Sequence, residues 1–227
     1  MIHFSKKSIY TIVIISISII IIFSCAYFHS LKVKEIKEIK EGLTNNNKVI
    51  LMGDSVLNNS NYVSFGKSVV DILKTKTNNI LNVSKDGDTI NDLYSQLDKI
   101  PIDLNEAETY VFISVGGNDI LNKRSTAEVT TLFNSYIEFL KAFRTKLGST
   151  KLNIMNLYLP ANPRYQSYKK QIDLWNDLIN KSSNEVGEMY NVIDLNSVLK
   201  SPNDFVYDIE PSELGSEKIA NLIYLTQ

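Results

Sequence analysis

Short apolar runs alternate with longer segments of helical period from Lys48 to the C-terminus. Runs that are apolar throughout are typical of strands buried on both faces of a parallel sheet. The pattern predicts five strands, at Lys48–Met52, Asn79–Val83, Thr109–Val115, Lys151–Leu157 and Asn191–Asp194. It predicts five helices, at Tyr62–Lys76, Thr89–Lys99, Ala127–Leu147, Tyr168–Tyr190 and Glu213–Leu225. This strict alternation indicates an α/β fold, a three-layer α/β/α sandwich around a five-stranded parallel sheet.

The N-terminal part of the chain has a different pattern. Ser8 to Phe28 is an uncharged run of 21 residues rich in isoleucine, close to the roughly 20 residues that a transmembrane helix needs. We therefore expect a membrane anchor at 1–30, a charged stalk at 31–47 and one domain at 48–227. Lysines flank the apolar run on both sides, so they do not fix its orientation, and we favour a domain outside the cytoplasm.

Charge and residue usage narrow the possible functions. The 24 basic and 25 acidic residues are interspersed and give a formal net charge of -1, so no basic face is available for a nucleic-acid partner. The single cysteine and the lack of any cysteine and histidine cluster exclude a structural zinc site. The sequence does not indicate an oligomeric state.

Polar motifs follow three of the predicted strands directly. The sequence Gly-Asp-Ser stands at 53–55, Asp-Gly-Asp-Thr at 86–89 and Gly-Gly-Asn-Asp at 116–119. A loop at 207–212 follows the fifth strand after an intervening segment. Because ligands of open parallel sheets bind beyond the carboxyl ends of the strands, we expect these loops to converge on one site.

The residue types in these loops suit nucleophilic catalysis. A serine at a strand end can expose its hydroxyl as a nucleophile, although a serine in such a turn is often only a cap. A tetrahedral oxyanion needs preorganised donors, and the backbone N–H groups of Ser55 and Gly87 with the Asn118 side-chain amide can supply them. We expect the adjacent Asp54 and Asp119 to contact substrate.

These motifs, in this order and spacing, resemble the first three sequence blocks of the SGNH/GDSL hydrolases. The resemblance covers roughly residue 48 to the C-terminus. It implies a flavodoxin-like sandwich, Ser55 as nucleophile, and an oxyanion hole from Ser55, Gly87 and Asn118. It implies a carboxylic ester as substrate, whether a small molecule, a lipid or a carbohydrate ester, cleaved through an acyl-enzyme. Neither a metal nor an organic cofactor is implied.

The last block departs from the family pattern. The family's Asp-x-x-His supplies a histidine base, but the histidines of this chain, His3 and His29, lie in or beside the apolar run. Aligning the proline at 211 puts Glu210 at the histidine position and Tyr207 at the aspartate position, with Asp208 one place off. A carboxylate can act as general base when burial or a like charge raises its pKa.

We therefore take Glu210 as the candidate base, with Asp208 and Asp54 as candidate neighbours. The residues after Glu210 also fit a helix start, with Ser212 as N-cap and Glu213 in the first turn. Because the histidine is replaced, two alternatives to a hydrolase stay open. One is a catalytically silent binding protein of the same fold, and the other is an O-acyltransferase.

Overall fold

The central sheet contains five parallel strands, as the sequence predicts. The computed structural model describes residues 47–104, 106–122, 125–185 and 190–227. The strands are β1 (Lys48–Gly53), β2 (Ile80–Asn82), β3 (Thr109–Ser114), β4 (Lys151–Met155) and β5 (Asn191–Ile193). They are hydrogen-bonded in the order β2-β1-β3-β4-β5. This is the strand order of flavodoxin-like folds.

Helices connect the strands, and a small hairpin precedes the last helix. The helices are α1 (Val69–Lys74), α2 (Leu93–Asp98), α3 (Gly117–Leu121), α4 (Thr126–Lys146), α5 (Lys169–Glu185) and α6 (Glu213–Thr226). The hairpin pairs β6 (Phe205–Val206) with β7 (Glu210–Pro211) in antiparallel register. Short 3-10 helices lie at Ile90–Asp92, Glu106–Glu108, Pro163–Tyr168, Leu195–Ser197 and Pro202–Asp204.

The side chains of β1 alternate between two hydrophobic cores because successive residues of a strand point to opposite faces. Val49 and Leu51 pack in a core with α1 and α6. Ile50 and Met52 pack in a second core with α2, α4 and α5. Helices therefore cover both faces of the sheet. This explains why the central strands read as continuous apolar runs.

The first helix is shorter than its pattern predicts. It begins after Ser68, whose side chain accepts a hydrogen bond from the Asp71 N–H as an N-cap. Gly66, with φ of +78°, lies in the turn before it. The hairpin and α3 were not predicted because they are too short to show a period. The predicted end of the fourth helix at Tyr190 differs from the end of α5 at Glu185, and residues 186–189 lie outside the described part.

The start of α6 agrees with the sequence-based prediction. The Ser212 side chain accepts a hydrogen bond from the Gly215 N–H, and Glu213 lies in the first turn, where its charge is favourable. Capping thus accounts for Ser212 and Glu213 but gives no role to Glu210. The predicted N-terminal anchor and stalk lie outside the described residues. No helix of the described ranges combines the length and apolar character needed to span a membrane.

Candidate active site

Ser55 lies immediately beyond the end of β1. The strand ends at Gly53, which has a φ of +120° and pairs with Ser114 of β3. The next residue continues this contact, since the Asp54 N–H donates to the Ser114 carbonyl at 3.0 Å. The Asp54 carbonyl then accepts from the Leu57 N–H at 3.2 Å, so the chain turns at once. This turn holds Ser55 at the carboxyl end of the central strands, with 8% of its surface exposed.

A buried glutamine fixes the end of β1. The Gln96 side-chain oxygen accepts from the Gly53 N–H at 2.7 Å, and its amide donates to the Gly53 carbonyl at 2.9 Å and the Asp88 carboxylate at 2.8 Å. The sequence reading missed this residue. Its position could have indicated it, because Gln96 is a polar residue on the apolar face of α2, beside Leu93 and Leu97.

The hairpin brings Glu210 to Ser55. Glu210 is the first residue of β7 and pairs with Val206 of β6. The Ser55 hydroxyl lies beside the Glu210 carboxyl group, close enough to lower its pKa as a hydrogen-bond donor, and both residues line the same pocket. One carboxyl oxygen, Oε2, is buried and has no hydrogen-bond partner among the described residues. The two candidate catalytic side chains are thus in contact, although they come from opposite ends of the domain.

Two side chains that the sequence did not single out hold the hairpin in place. The amide of Asn59, which is fully buried, donates to the Pro211 carbonyl at 3.1 Å and the Ser216 hydroxyl at 2.6 Å. The Tyr158 hydroxyl donates to the Ile209 carbonyl at 2.7 Å. Asn59 therefore joins the loop that carries Ser55 to the segment that carries Glu210. Nothing distinguishes Asn59 from the other asparagines of its polar loop in the sequence.

Asp208 has a different neighbour from the one expected. Its carboxylate is 3.1 Å from the Arg164 guanidinium, and both side chains are exposed. Tyr207 is also exposed and packs edge-on against Tyr62. Both turn residues have positive φ, 49° for Tyr207 and 71° for Asp208, which is uncommon for residues other than glycine. The structure directs Asp208 toward Arg164 and not toward Glu210.

Burial is the main influence on the pKa of Glu210. It raises the pKa of the Glu210 carboxyl group, the hydrogen bond from Ser55 lowers it, and the negative charge of Asp86 raises it again. The net shift is upward. A raised pKa makes a carboxylate a stronger base near neutral pH, so this environment suits proton abstraction from Ser55.

The candidate oxyanion donors differ in their surroundings. Within the described part of the chain, no acceptor engages the N–H of Ser55 or Gly87. Gly87 is exposed, with a φ of +81°. The Asn118 amide donates to the Asp88 carbonyl at 3.0 Å, which orients it and leaves its second hydrogen for a ligand. Asp119 is buried, and its carboxylate accepts from the Ile90 N–H.

A cavity of about 60 Å³, partly open to solvent, lies beside Ser55. Of the predicted site residues, Asp54, Ser55, Asn118 and Glu210 line it, whereas Gly87, Asp119 and Asp208 do not. Its other lining residues are mainly apolar or aromatic: Val56, Gly117, Ile120, Leu121, Leu157, Tyr158, Pro160, Tyr165, Tyr168, Ile172 and Ile209. In the described ranges, no cluster of three or more histidine, cysteine or acidic side chains is arranged to hold a metal ion.

Comparison with known families agrees with this geometry. Residues 51–218 match the model of the GDSL-like lipase/acylhydrolase family. The chain belongs to this family. No protein among the curated sequences matches it.

Solved structures of GDSL-like proteins share the fold. A lipolytic protein of the G-D-S-L family from Veillonella parvula DSM 2008 is 18% identical, with a TM-score of 0.62 over 77% of this chain and 94% of that one. The lipase/acylhydrolase from Enterococcus faecalis is 21% identical, with a TM-score of 0.59 over 79% and 94%. The lipase Lip_vut3 from a goat rumen metagenome is 18% identical, with a TM-score of 0.60 over 79% and 97%.

Asp54 of this GDSL-like site is a second acidic group with a shifted pKa. Burial raises its pKa to about 8, against the lowering effect of the Val56 N–H, and the charges of Glu210 and Asp119 raise it further. The Val56 N–H donates to the carboxyl group at 3.1 Å. Asp54 is therefore a neutral acid at pH 7. In that form it adds no negative charge beside Glu210.

The raised pKa of Asp54 predicts a stability that depends on pH. Between about pH 4 and pH 8 the unfolded chain has lost this proton and the folded chain keeps it. The free energy of unfolding should therefore fall as pH rises through this range, by up to about 1.4 kcal/mol per pH unit. Asp54→Asn should remove this contribution, because the amide stays neutral and can still accept from the Val56 N–H.

Urea unfolding of both proteins at several pH values from 5 to 8 measures this effect. We expect the advantage of Asp54→Asn over the parent to grow with pH. Asp98→Asn, which changes an exposed aspartate at the end of α2, is the matched control and should keep the parent slope. Equal slopes in Asp54→Asn and the parent would show that Asp54 is ionised in the folded protein.

Proposed function

We propose that the protein is a membrane-anchored serine hydrolase that cleaves a carboxylic ester through an acyl-enzyme on Ser55. The position of the half-buried Glu210 carboxyl group beside the Ser55 hydroxyl, in the lining of one pocket, is the observation that carries this proposal. The cavity beside these two groups supplies room for a substrate. Membership of the GDSL-like lipase/acylhydrolase family supports the ester chemistry.

The reaction begins when the Glu210 carboxylate takes the Ser55 proton as the Ser55 oxygen attacks the ester carbonyl carbon. The resulting oxyanion accepts from the N–H groups of Ser55 and Gly87 and from the Asn118 amide. Collapse of this intermediate breaks the bond to the alcohol oxygen, which leaves with the proton from Glu210. Water then attacks the acyl-enzyme while Glu210 takes a proton from it. As the bond between the acyl carbon and the Ser55 oxygen breaks, Glu210 returns this proton to Ser55 and the carboxylic acid is released.

The oxyanion donors and the general base are expected to contribute separately to the rate enhancement. One oxyanion donor typically contributes about 3–4 kcal/mol of transition-state stabilisation. A positioned general base contributes about 10²–10⁴ in rate. The fixed orientation of the Asn118 amide supports its role as donor, since a donor held by the protein needs no reorganisation during the reaction.

The membrane anchor is part of the proposal. The uncharged run from Ser8 to Phe28 has the length of a membrane-spanning helix. We assign the domain to the extracytoplasmic side and its substrate to that compartment.

A fluorophosphonate probe tests the nucleophile. The full-length protein in nanodiscs should be labelled, and Ser55→Ala should lose the label. Ser60→Ala, which removes an exposed hydroxyl five positions later in the same loop, should be labelled like the parent. Labelling that persists in Ser55→Ala would contradict the assignment. A parent protein without labelling or turnover of any ester would favour the catalytically silent binding protein.

A further inference from the structure

We infer that Tyr62 is a positioning residue of the active site: its hydroxyl group engages the Asp86 carboxylate and so keeps the Gly87 N–H oriented and free to bind an oxyanion. This inference rests on the proposed function, which gives that N–H its role as a donor. Tyr62 does not line the cavity beside Ser55, so its effect on the reaction passes through Gly87.

Gly87 lies in a tight turn that runs from Lys85 to Asp88. The Asp88 N–H donates to the Lys85 carbonyl at 3.2 Å. Gly87, the third residue of the turn, has a φ of +81°, whereas the φ of Asp86, the second residue, is not positive. This combination indicates a type II turn.

The direction of the Gly87 N–H depends on the type of this turn. Types I and II differ by about 150° in the ψ of the second residue, so the peptide group between the second and third residues is turned over. In this protein that group consists of the Asp86 carbonyl and the Gly87 N–H. Glycine at the third position favours type II but also adopts the backbone angles of type I. The residues of the turn alone therefore do not hold the N–H in one direction.

Other contacts hold only the two ends of the turn. The Lys85 N–H donates to the Gly53 carbonyl at 2.9 Å, and the Asp88 carboxylate accepts from the Gln96 amide at 2.8 Å. Between these ends, the central peptide group makes no hydrogen bond with any residue that the structure describes. Its orientation therefore needs a different support.

Tyr62 supplies this support. Its hydroxyl donates to the Asp86 carboxylate at 2.7 Å, the one hydrogen bond that this carboxylate receives within the described ranges. Tyr62 is itself fixed, because its N–H donates to the Asn59 carbonyl at 3.0 Å and its ring lies edge-on to Tyr207, with 5.9 Å between the ring centroids. The hydroxyl thus holds the side chain of the residue that precedes Gly87.

Loss of this hydrogen bond would affect the Gly87 N–H in two ways. Asp86 would be freer to rotate, and the central peptide group would rotate with it. The released carboxylate would also compete for the Gly87 N–H, since aspartate side chains in turns commonly accept from nearby backbone N–H groups. Either change takes the donor away from the oxyanion.

Tyr62→Phe tests the inference, because it removes the hydroxyl group and keeps the ring. In the full-length protein in nanodiscs, kcat for a p-nitrophenyl ester should fall about tenfold, with little change in KM. Losing an oxyanion donor outright would lower kcat by about 10²–10³-fold. The smaller fall is expected because the Gly87 N–H is still present but is less often in place.

A thionoester, with sulfur in place of the carbonyl oxygen, shows whether the oxyanion donors are affected. Sulfur accepts hydrogen bonds weakly, so the thionoester gains little from these donors. Tyr62→Phe should therefore slow the ester more than the thionoester, and the ratio of their kcat/KM values should fall. A general distortion of the fold would slow both substrates equally. Equal losses would overturn the inference and leave the hydrolase proposal intact.

Tyr94→Phe is the matched control. Tyr94 is also a partly exposed tyrosine with an edge-on aromatic contact, to Phe139 at 5.2 Å between the ring centroids. It lies on α2, outside the lining of the cavity. This variant should keep the parent kcat and the parent ratio of ester to thionoester. The same changes in Tyr94→Phe as in Tyr62→Phe would overturn the inference.

Nuclear magnetic resonance separates the inference from catalysis. Asp86-Gly87 is the one Asp-Gly pair in the sequence, so ¹³C at the aspartate carbonyls and ¹⁵N at the glycines select the Gly87 N–H signal. This signal should shift in Tyr62→Phe and stay in place in Tyr94→Phe. A shift in a protein that turns over no ester would sustain the positioning by Tyr62 and defeat the hydrolase. An unmoved signal in Tyr62→Phe would overturn the inference at any rate of turnover.

Discussion

Replacing Glu210 by glutamine is expected to lower kcat for ester hydrolysis by about 10²–10⁴-fold, the range associated with a positioned general base. Glutamine has nearly the same shape and can still accept a hydrogen bond from the Ser55 hydroxyl. It cannot take the proton. The loss should therefore appear mainly in kcat, with little change in KM, and the variant should unfold at the same or a slightly higher urea concentration because a buried carboxyl group is gone.

The pH profile gives a second measure of the same residue. A base must be ionised, so kcat should rise with pH through the pKa of Glu210. Burial raises that pKa above its ordinary value, and the rise should be centred above the range of an exposed glutamate. In Glu210→Gln this rise of kcat with pH should be absent. Glu217→Gln, which changes an exposed glutamate of α6, should keep both rate and profile, and an unchanged kcat in Glu210→Gln would refute the base assignment.

Gly53→Ala is expected to destabilise the domain by about 2–5 kcal/mol. A Cβ at Gly53 would collide with the Ser114 carbonyl oxygen of the adjacent strand, and forcing a side chain into a packed space typically costs about 1–3 kcal/mol. The φ of +120° adds a backbone strain of about 1–2 kcal/mol. Because domains of this kind are stable by only about 5–15 kcal/mol, the variant should unfold at a far lower urea concentration.

Gly66→Ala separates the two contributions. Gly66 also has a positive φ, but a Cβ there would meet no atom within 4 Å. This variant should lose only the strain of about 1–2 kcal/mol. Urea unfolding of both variants measures the difference. Equal losses would show that the contact with Ser114 does not set the requirement for glycine at the end of β1.

The sequence was sufficient to predict the central sheet, because strands buried on both faces appear in it as continuous apolar runs. Buried parallel strands such as β1 and β3 carry apolar residues at every position between their first and last, so their bounds were predicted to within one or two residues. The position of Ser55 followed from the strand end. The hairpin was different, since two-residue strands have no period. Its turn has positive φ at Tyr207 and Asp208, and tyrosine is not a residue typical of such turns.

The partners of the candidate base could not be read from the sequence for a related reason. Spacing along the chain placed Asp208 beside Glu210, but the turn of the hairpin sends the Asp208 side chain to Arg164. The groups that act on Glu210 are distant in sequence, at Ser55 and Asp86. Asn59, which ties the two halves of the site together, forms its contacts with Pro211 and Ser216 only after the segment that carries α6 has docked on the sheet.

That last dependence sets the order in which the protein can become active during its synthesis. Ser55 leaves the ribosome early in the domain, whereas Glu210 and α6 are among its last residues. Until α6 emerges, the face of β1 that carries Val49 and Leu51 has only part of its cover, and apolar surface exposed in this way promotes aggregation of incomplete chains. The same docking event that protects the nascent domain also delivers Glu210 to Ser55, so a partly made chain holds a serine that nothing activates.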